Sequence, residues 1–382
     1  MSEQFDFIVI GGGMAGASVA YQLAVDASVL VLERESQAGY HTTGRSAAVF
    51  TEIYGNAAIR ALTVASGPFF RDPPQGFCDA PLLTSRPLIM LARQDQSGEV
   101  HKLYEQAVKL VPTVRIIGAD EIIRHLPALR RDYVSCGLLE EESCDIDVNA
   151  VHMGFLRGAK LRGAQTVNKA EVTSVVRSAD GWTVDTTAGS FKGSVIVNAA
   201  GAWADEIGDM AGTRPIGLVP MRRTAFTFSF EPPMPVDDWP TIIDISEEFY
   251  FKPEAGKLLG SPADETPSPP CDAQPEELDI AIAIDRICAA ADFEIQRLHS
   301  KWAGLRSFVA DRTPVVGYDD EVPDLFWLAG QGGYGIQTAP ALSRVAAALA
   351  QHKSIPADIE SLGIEESTLS PRRLRLAVHE TD

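Results

Sequence analysis

Three glycines, Gly11, Gly13 and Gly16, stand at GxGxxG spacing in FIVIGGGMAGASVAYQLA, residues 7–24. Gly11 permits a tight turn, Gly13 admits a pyrophosphate close to the backbone, and Gly16 lets a helix pack on the preceding strand, with Met14 and Ala15 completing the turn. Glu33 ends the next apolar run, where a carboxylate accepts hydrogen bonds from ribose hydroxyls and disfavours a 2′-phosphate. These residues bind a dinucleotide. A second set has a different use. Arg223 in MRRTAFTF and Arg306 in AGLRSFV sit in apolar, strand-like contexts where a solvated residue would be wasteful. Arginine offers a planar two-pronged fork for a carboxylate.

The elements that must position these groups alternate along the chain. Strand 6–10, helix 14–25 and strand 29–32 form a β-α-β unit. RDPPQGFCDAPL then breaks regular structure, and residues 82–135 mix short apolar segments with amphipathic helices such as GEVHKLYEQAVKLV. The first pattern returns with a helix in HMGFLRGAKLRGA and strands in EVTSVVRSADGWTVDTTAGSFKGSVIVNAAGAW. β-rich segments follow Gly217, and SPADETPSPPCDAQP reads as a mobile surface insertion. DLFWLAGQGGYGIQTAPALSRVAAALAQ closes the chain as strand, glycine turn and long helix. The expected division is a Rossmann-like nucleotide domain from 1–80, 146–217 and 300–382, and an interposed β-rich domain from 81–145 and 218–299. The fold class is α/β, α+β overall.

Composition narrows the function classes. The chain has 382 residues, 33 Lys+Arg against 52 Asp+Glu and a formal net charge of −19, which disfavours nucleic acid and anionic membranes as partners. No apolar run reaches the length of a spanning helix, and MSEQFDFIVI lacks the basic region of a signal peptide. Five cysteines at irregular spacing, without CxxC, suggest neither a disulfide framework nor a metal site. A reduced, cytoplasmic, monomeric protein is the expectation.

NAD and FAD share the glycine fingerprint, and the layout separates them. An NAD dehydrogenase completes its sheet consecutively, whereas this chain leaves its first domain twice and places a last glycine turn, Gly330 to Gly335, before a helix. A long FAD molecule held by sequence-distant turns accounts for that order.

GGGMAG with Glu33-Arg34, GYHTTGRSAA (39–48), VNAAGAW (197–203), WAGLRSFVADRTPVVGY (302–318) and GQGGYGIQT (330–338) together resemble the D-amino-acid oxidase/dehydrogenase superfamily, most closely the bacterial D-arginine dehydrogenases. The similarity runs from about residue 5 to LSPRRL. It implies noncovalent FAD and oxidation of a D-amino acid to an imino acid, which water converts to a 2-oxo acid and ammonia; the sequence leaves the electron acceptor, oxygen, a quinone or another carrier, open. The sarcosine-oxidase relatives attach flavin through a late cysteine, and none follows Cys288 here.

By this resemblance Arg223, Arg306, Tyr54 and Tyr250 hold the substrate carboxylate, Tyr54 on a short lid-like loop, while the Gly333 backbone faces the imine nitrogen. Arg34, His41, Thr42, Thr43, Arg45, Ser46, Ala47, Ala48, Val172, Ala200, Gly201, Trp203, Gly332, Tyr334, Gly335, Ile336 and Gln337 join the fingerprint residues around FAD. Two positions depart from the D-arginine pattern: Leu88 replaces a glutamate that pairs with guanidinium, and Val49 replaces a histidine. Their apolar character implies a preference for apolar or neutral side chains, with Glu52 the nearby acid able to substitute as a cation partner. D-arginine or D-lysine oxidation, oxidation of a secondary amine or N-substituted amino acid, and a flavin-binding subunit without catalysis are the alternative readings.

Overall fold

The computed structural model describes residues 4–376; residues 1–3 and 377–382, the outer ends of the expected nucleotide domain, lie outside the described residues. Strands Gln165–Val167, Val29–Leu32, Gln4–Ile10, Gly189–Asn198 and Leu325–Ala329 run parallel side by side, and Val315–Tyr318 pairs antiparallel at the end. A hairpin, Val172–Ser178 with Gly181–Thr186, pairs with the first half of Gly189–Asn198. Every residue of Val29–Leu32 and Leu325–Ala329 is buried, as strands covered on both faces require. Helices Met14–Leu23, Val148–Leu161 and Ala339–Ala350 cover one face through Ala17, Ala20, Phe155, Val345 and Ala346. The expected α/β class is found.

A second sheet has nine strands, drawn from 88–140 and 219–308. Its spine is a long antiparallel ribbon, Val219–Glu231 against Glu294–Phe308, which runs through residue 300. Beyond it lie Lys257–Ser261, Tyr250–Glu254, Thr241–Asp244, Leu88–Ala92, Cys136–Glu140 and Arg115–Gly118 in that order. Phe226, Phe228, Phe249 and Phe251 fill the face away from the nucleotide domain. A small sheet of Val49–Phe50, Cys144–Ile146 and Leu83–Ser85 stands beside the larger two.

The Pro-rich stretch at 261–275 departs from the mobile insertion expected of it. Arg223 Nε donates to Asp264 O at 2.7 Å, Thr224 N donates to the Asp264 carboxylate at 2.6 Å, and Arg45 Nη1 donates to Ala273 O at 2.9 Å. Thr266–Pro267 adds a short strand to the ribbon. Its polar groups are satisfied by the protein interior, so its proline content marks a fixed path.

Candidate active site

A cavity of about 260 Å³ runs along the carboxyl ends of the parallel strands, and of the residues expected at a cofactor, those at 11, 13–15, 33, 34, 41–43, 45–47, 172, 200, 201, 203, 332, 333, 335 and 336 line it. Gly11 takes φ +105°, and a Cβ there would stand 2.4 Å from Ala199 O, so only glycine fits. The helix behind it opens on Gly13 with no side-chain cap; Thr43 Oγ1 accepts from Met14 N at 3.0 Å. Beneath the turn, His152 Nε2 lies 2.8 Å from Gly12 O, and burial lowers the pKa of that imidazole. Gly16 packs against the Gly11 carbonyl, outside the lining.

The polar lining is partly engaged already. Glu33 accepts from Gly12 N and Glu35 N, both at 2.8 Å, which fixes its carboxylate at the end of its strand. Arg34 pairs with Glu171 at 2.9 Å and lies 4.7 Å over the Trp203 ring. Thr42 and Arg45, expected to face a ligand, spend their side chains on Leu305 O, Ala303 O and Ala273 O instead. Two lining atoms are buried with no partner, His41 Nδ1 and Gln331 Nε2. Buried polar atoms are rarely left so unless a ligand or water completes them.

A second chamber, about 70 Å³, continues inward, and the two share Ser46, Ala47, Arg223, Tyr250, Arg306, Gly333 and Ile336 as a common waist. The two arginines differ. Arg223 Nη2 pairs with Glu265 at 3.2 Å and its Nε is bound to Asp264 O. The Arg306 side chain has no ion pair or hydrogen bond among the described residues, and its guanidinium lies so close to Gly333 that a Cβ there would meet Nη1 at 2.7 Å. Burial opposes its charge, but the electrostatic pull of the Tyr54, Tyr250 and Tyr334 phenol oxygens and the Glu247 carboxylate keeps its pKa above the ordinary value. Arg222 turns away to Glu276, Asp279 and Asp264, and Asp311 pairs with Arg373.

Tyr54 donates to Glu247 Oε2 at 2.6 Å and packs edge-on to Tyr334, 5.1 Å between centroids. Burial first, then the Glu247 charge, raises its pKa, so the phenol stays protonated. Tyr334 itself lines neither cavity. Ala48 and Gln337 line only the inner chamber, Gln337 with its amide on Thr51 O and Thr63 Oγ1.

Of the three residues expected at the substrate side chain, only Val49 lines the chamber. Leu88 is fully buried and stands one strand farther out, packed in the same cluster as Val49, Ile53 and Ile243. Glu52 turns away to Arg71 at 3.2 Å and, by its backbone N–H, to Glu140. Glu140 also accepts from Thr51 Oγ1 at 2.5 Å, and burial pushes its carboxyl up to about 7. Instead the chamber holds Glu247, Thr241 and Lys252, which sequence reading passed over. A signal existed for one. Lys252 follows Tyr250 by two residues in an apolar strand, the same context that singled out Arg223.

Comparison with known proteins decides the class of this site. A family model described as "FAD dependent oxidoreductase" matches residues 6–349. The chain belongs to the FAD-dependent oxidoreductase family. FAD is the family's cofactor, and the cavity suits it: a glycine turn closed to any side chain, a helix that starts on glycine at the cavity wall and two unpartnered buried nitrogens. The chain is 27% identical to the dimethylglycine dehydrogenase of Rattus norvegicus over 68% of its own length, but spans only 31% of that enzyme. It is 20% identical to the glycine oxidase of Geobacillus kaustophilus over 94% of this chain and 96% of that one. The L-proline dehydrogenase structure from P. horikoshii superposes with a TM-score of 0.84 at 22% identity, covering 99% of both chains. An FAD-bound L-α-glycerophosphate oxidase from Mycoplasma pneumoniae gives 0.82 at 18% identity over 91% of this chain and 95% of that one. The likeness to D-arginine dehydrogenases finds no counterpart among these relatives. No helix among the described residues is long and apolar enough to cross a membrane.

Proposed function

We propose that this oxidoreductase holds FAD noncovalently and oxidises the carbon–nitrogen bond of a small D-amino acid. One observation carries the reading: Arg306, a half-buried guanidinium whose side chain has no ion-pair or hydrogen-bond partner among the described residues, stands at the waist where the nucleotide cavity meets the inner chamber. An unpaired cation there is a site for a carboxylate.

In this reading the helix N-terminus after Gly13 meets the pyrophosphate and Glu33 the ribose. When bound, FAD accepts a hydride equivalent, two electrons with one proton. Arg306 fixes the substrate carboxylate, with Arg223 and the Tyr250 hydroxyl beside it, so that Cα is held at the waist. The Gly333 backbone borders the position of the amine. As Cα loses its hydrogen, the nitrogen lone pair forms the C=N bond and a nitrogen proton is released. Water then gives the 2-oxo acid and ammonium. Tyr54 and Glu247 close the chamber against bulk water. The apolar preference expected from Leu88 loses its basis, because Leu88 lies behind the lining.

A second reading, oxidation of an N-substituted amino acid, draws support from the dimethylglycine dehydrogenase relatives. Anaerobic mixing with D-amino acids, their L-enantiomers and N-methyl amino acids tests both. Bleaching of the flavin by D-amino acids with ammonium as product is expected. Bleaching by N-methyl substrates alone, with formaldehyde or methylamine as product, would establish the second reading, and bleaching by L-enantiomers alone would reverse the configuration.

A further inference from the structure

We propose that the substrate carries a second carboxylate and that Thr241 and Lys252 bind it across the chamber from Arg306. The choice of an amino acid as its carrier rests on the oxidation reading above; the anion pocket does not.

Thr241 is 1% exposed and lines the chamber, yet its Oγ1 has no hydrogen-bond partner. Valine would fill the same volume without burying an unmet hydroxyl, so the hydroxyl has a use only if something in the chamber meets it. Lys252 supplies the charge. Register pairs Ile243 with Tyr250 and Ile242 with Phe251, and one step farther Thr241 stands opposite Lys252. Alternation along these strands sends Ile242 and Phe251 into the aromatic core and Thr241, Ile243, Tyr250 and Lys252 to the chamber.

The charges around Lys252 leave room for an anion. Its Nζ, in a residue 4% exposed, donates to Asp145 Oδ1 at 2.5 Å, and Glu254 is 3.6 Å away at a half-exposed position. Arg86 Nε donates to the other Asp145 oxygen at 2.5 Å, so two cations, one buried and one partly exposed, share that carboxylate. An ammonium carries three donors, and Asp145 takes one. Arg306 and Thr241 lie on strands separated by three others, so they flank the chamber from opposite sides and would grip the two ends of one molecule. The small chamber, about 70 Å³, favours a short chain between the two ends, and aspartate is the shortest common amino acid that carries a second carboxylate.

Two measurements on the FAD-loaded protein test this. In the first, succinate and butyrate are titrated against the flavin absorbance, which needs no turnover. Succinate is expected to bind at least about 30-fold tighter, and the isosteric Thr241→Val to reduce that ratio about tenfold, with Lys252→Met reducing it further. In the second, D-aspartate is compared with its isostere D-leucine in anaerobic flavin reduction, and the same preference is expected in kcat/KM. Equal binding of the two acids, or a ratio that Thr241→Val leaves unmoved, would overturn the pocket and assign the hydroxyl to bound water. A succinate preference without flavin reduction by any amino acid would leave the anion pocket standing and sink the oxidation reading.

Discussion

The nucleotide cavity and the inner chamber are built from different materials. The first is shaped by backbone: glycine turns, a helix start on Gly13 and strand ends on a parallel sheet, with side chains such as Arg45 and Thr42 used to brace the walls. In the second the polar character comes from long side chains of the nine-stranded sheet, Arg223, Tyr250, Lys252 and Arg306, and turns on which of them are already paired. Backbone sites tolerate no added atom. Side-chain sites tolerate shape changes but respond sharply to charge.

Substitutions at the two places should therefore fail differently. Gly11→Ala should be the most damaging, since the new Cβ would meet Ala199 O at 2.4 Å in a φ +105° conformation, a backbone clash with no side chain able to yield. The cost should exceed the ~1 to 3 kcal/mol usual for overpacking, and the flavin-to-protein absorbance ratio of the purified variant should fall near zero. Next, Arg306→Met should keep FAD yet weaken carboxylate binding by roughly 2 to 5 kcal/mol, read as Kd from flavin perturbation. Arg223→Met should cost less, because Glu265 already neutralises Arg223 and retains Arg312 at 2.7 Å. Equal losses would erase the distinction between the two arginines.

Glu140 gives a smaller, pH-dependent effect. Its carboxyl is raised from 4.5 to about 7 by burial, so the folded state binds the proton more tightly than the unfolded one. Stability from this group is complete below about pH 4.5 and is lost as pH rises through about 7, a total on the order of 3 kcal/mol. Tm measured from pH 5 to 8 should decline in wild type and decline less in Glu140→Gln. An identical slope in the two proteins would mean that other groups govern it. The smallest effect belongs to Arg45→Met. Losing the bonds to Ala273 O and Ala303 O should loosen the Pro-rich segment and speed FAD release roughly three- to tenfold in a stopped-flow apoprotein assay.

The same division explains what could be read from the sequence. The β-α-β start, the glycine turns and Glu33 were legible because local conformation demands particular residue types there, wherever the rest of the chain goes. Arg306 and Arg223 were legible as charges in apolar strands, but not that one of them is paired. Glu265 lies forty-odd residues from Arg223 in a segment whose prolines suggested mobility, and only the fold brings them together. Leu88 was misplaced by one strand: position in a motif gave the right layer but not which strand forms the wall. Glu247 and Thr241 were invisible, since an acid in a turn and a threonine in a strand are both ordinary until their neighbours are known.

The long ribbon has a consequence for how such an enzyme changes over time. Met221 pairs with Arg306 and Arg223 with Gly304, which puts the two arginines on one face at a diagonal, about 7 to 8 Å apart. A slip of one strand by one residue would turn its arginine to the opposite face and leave the other behind, so the number of residues within each strand is fixed in parity. The chain between the strands, 232–293, carries Thr241, Glu247, Tyr250 and Lys252, and its side chains can change at fixed register without moving the ribbon. Anchor and selector are thus separate inheritable pieces: the bracket that grips a carboxylate can stay constant while the stretch it encloses is rewritten for a different substrate.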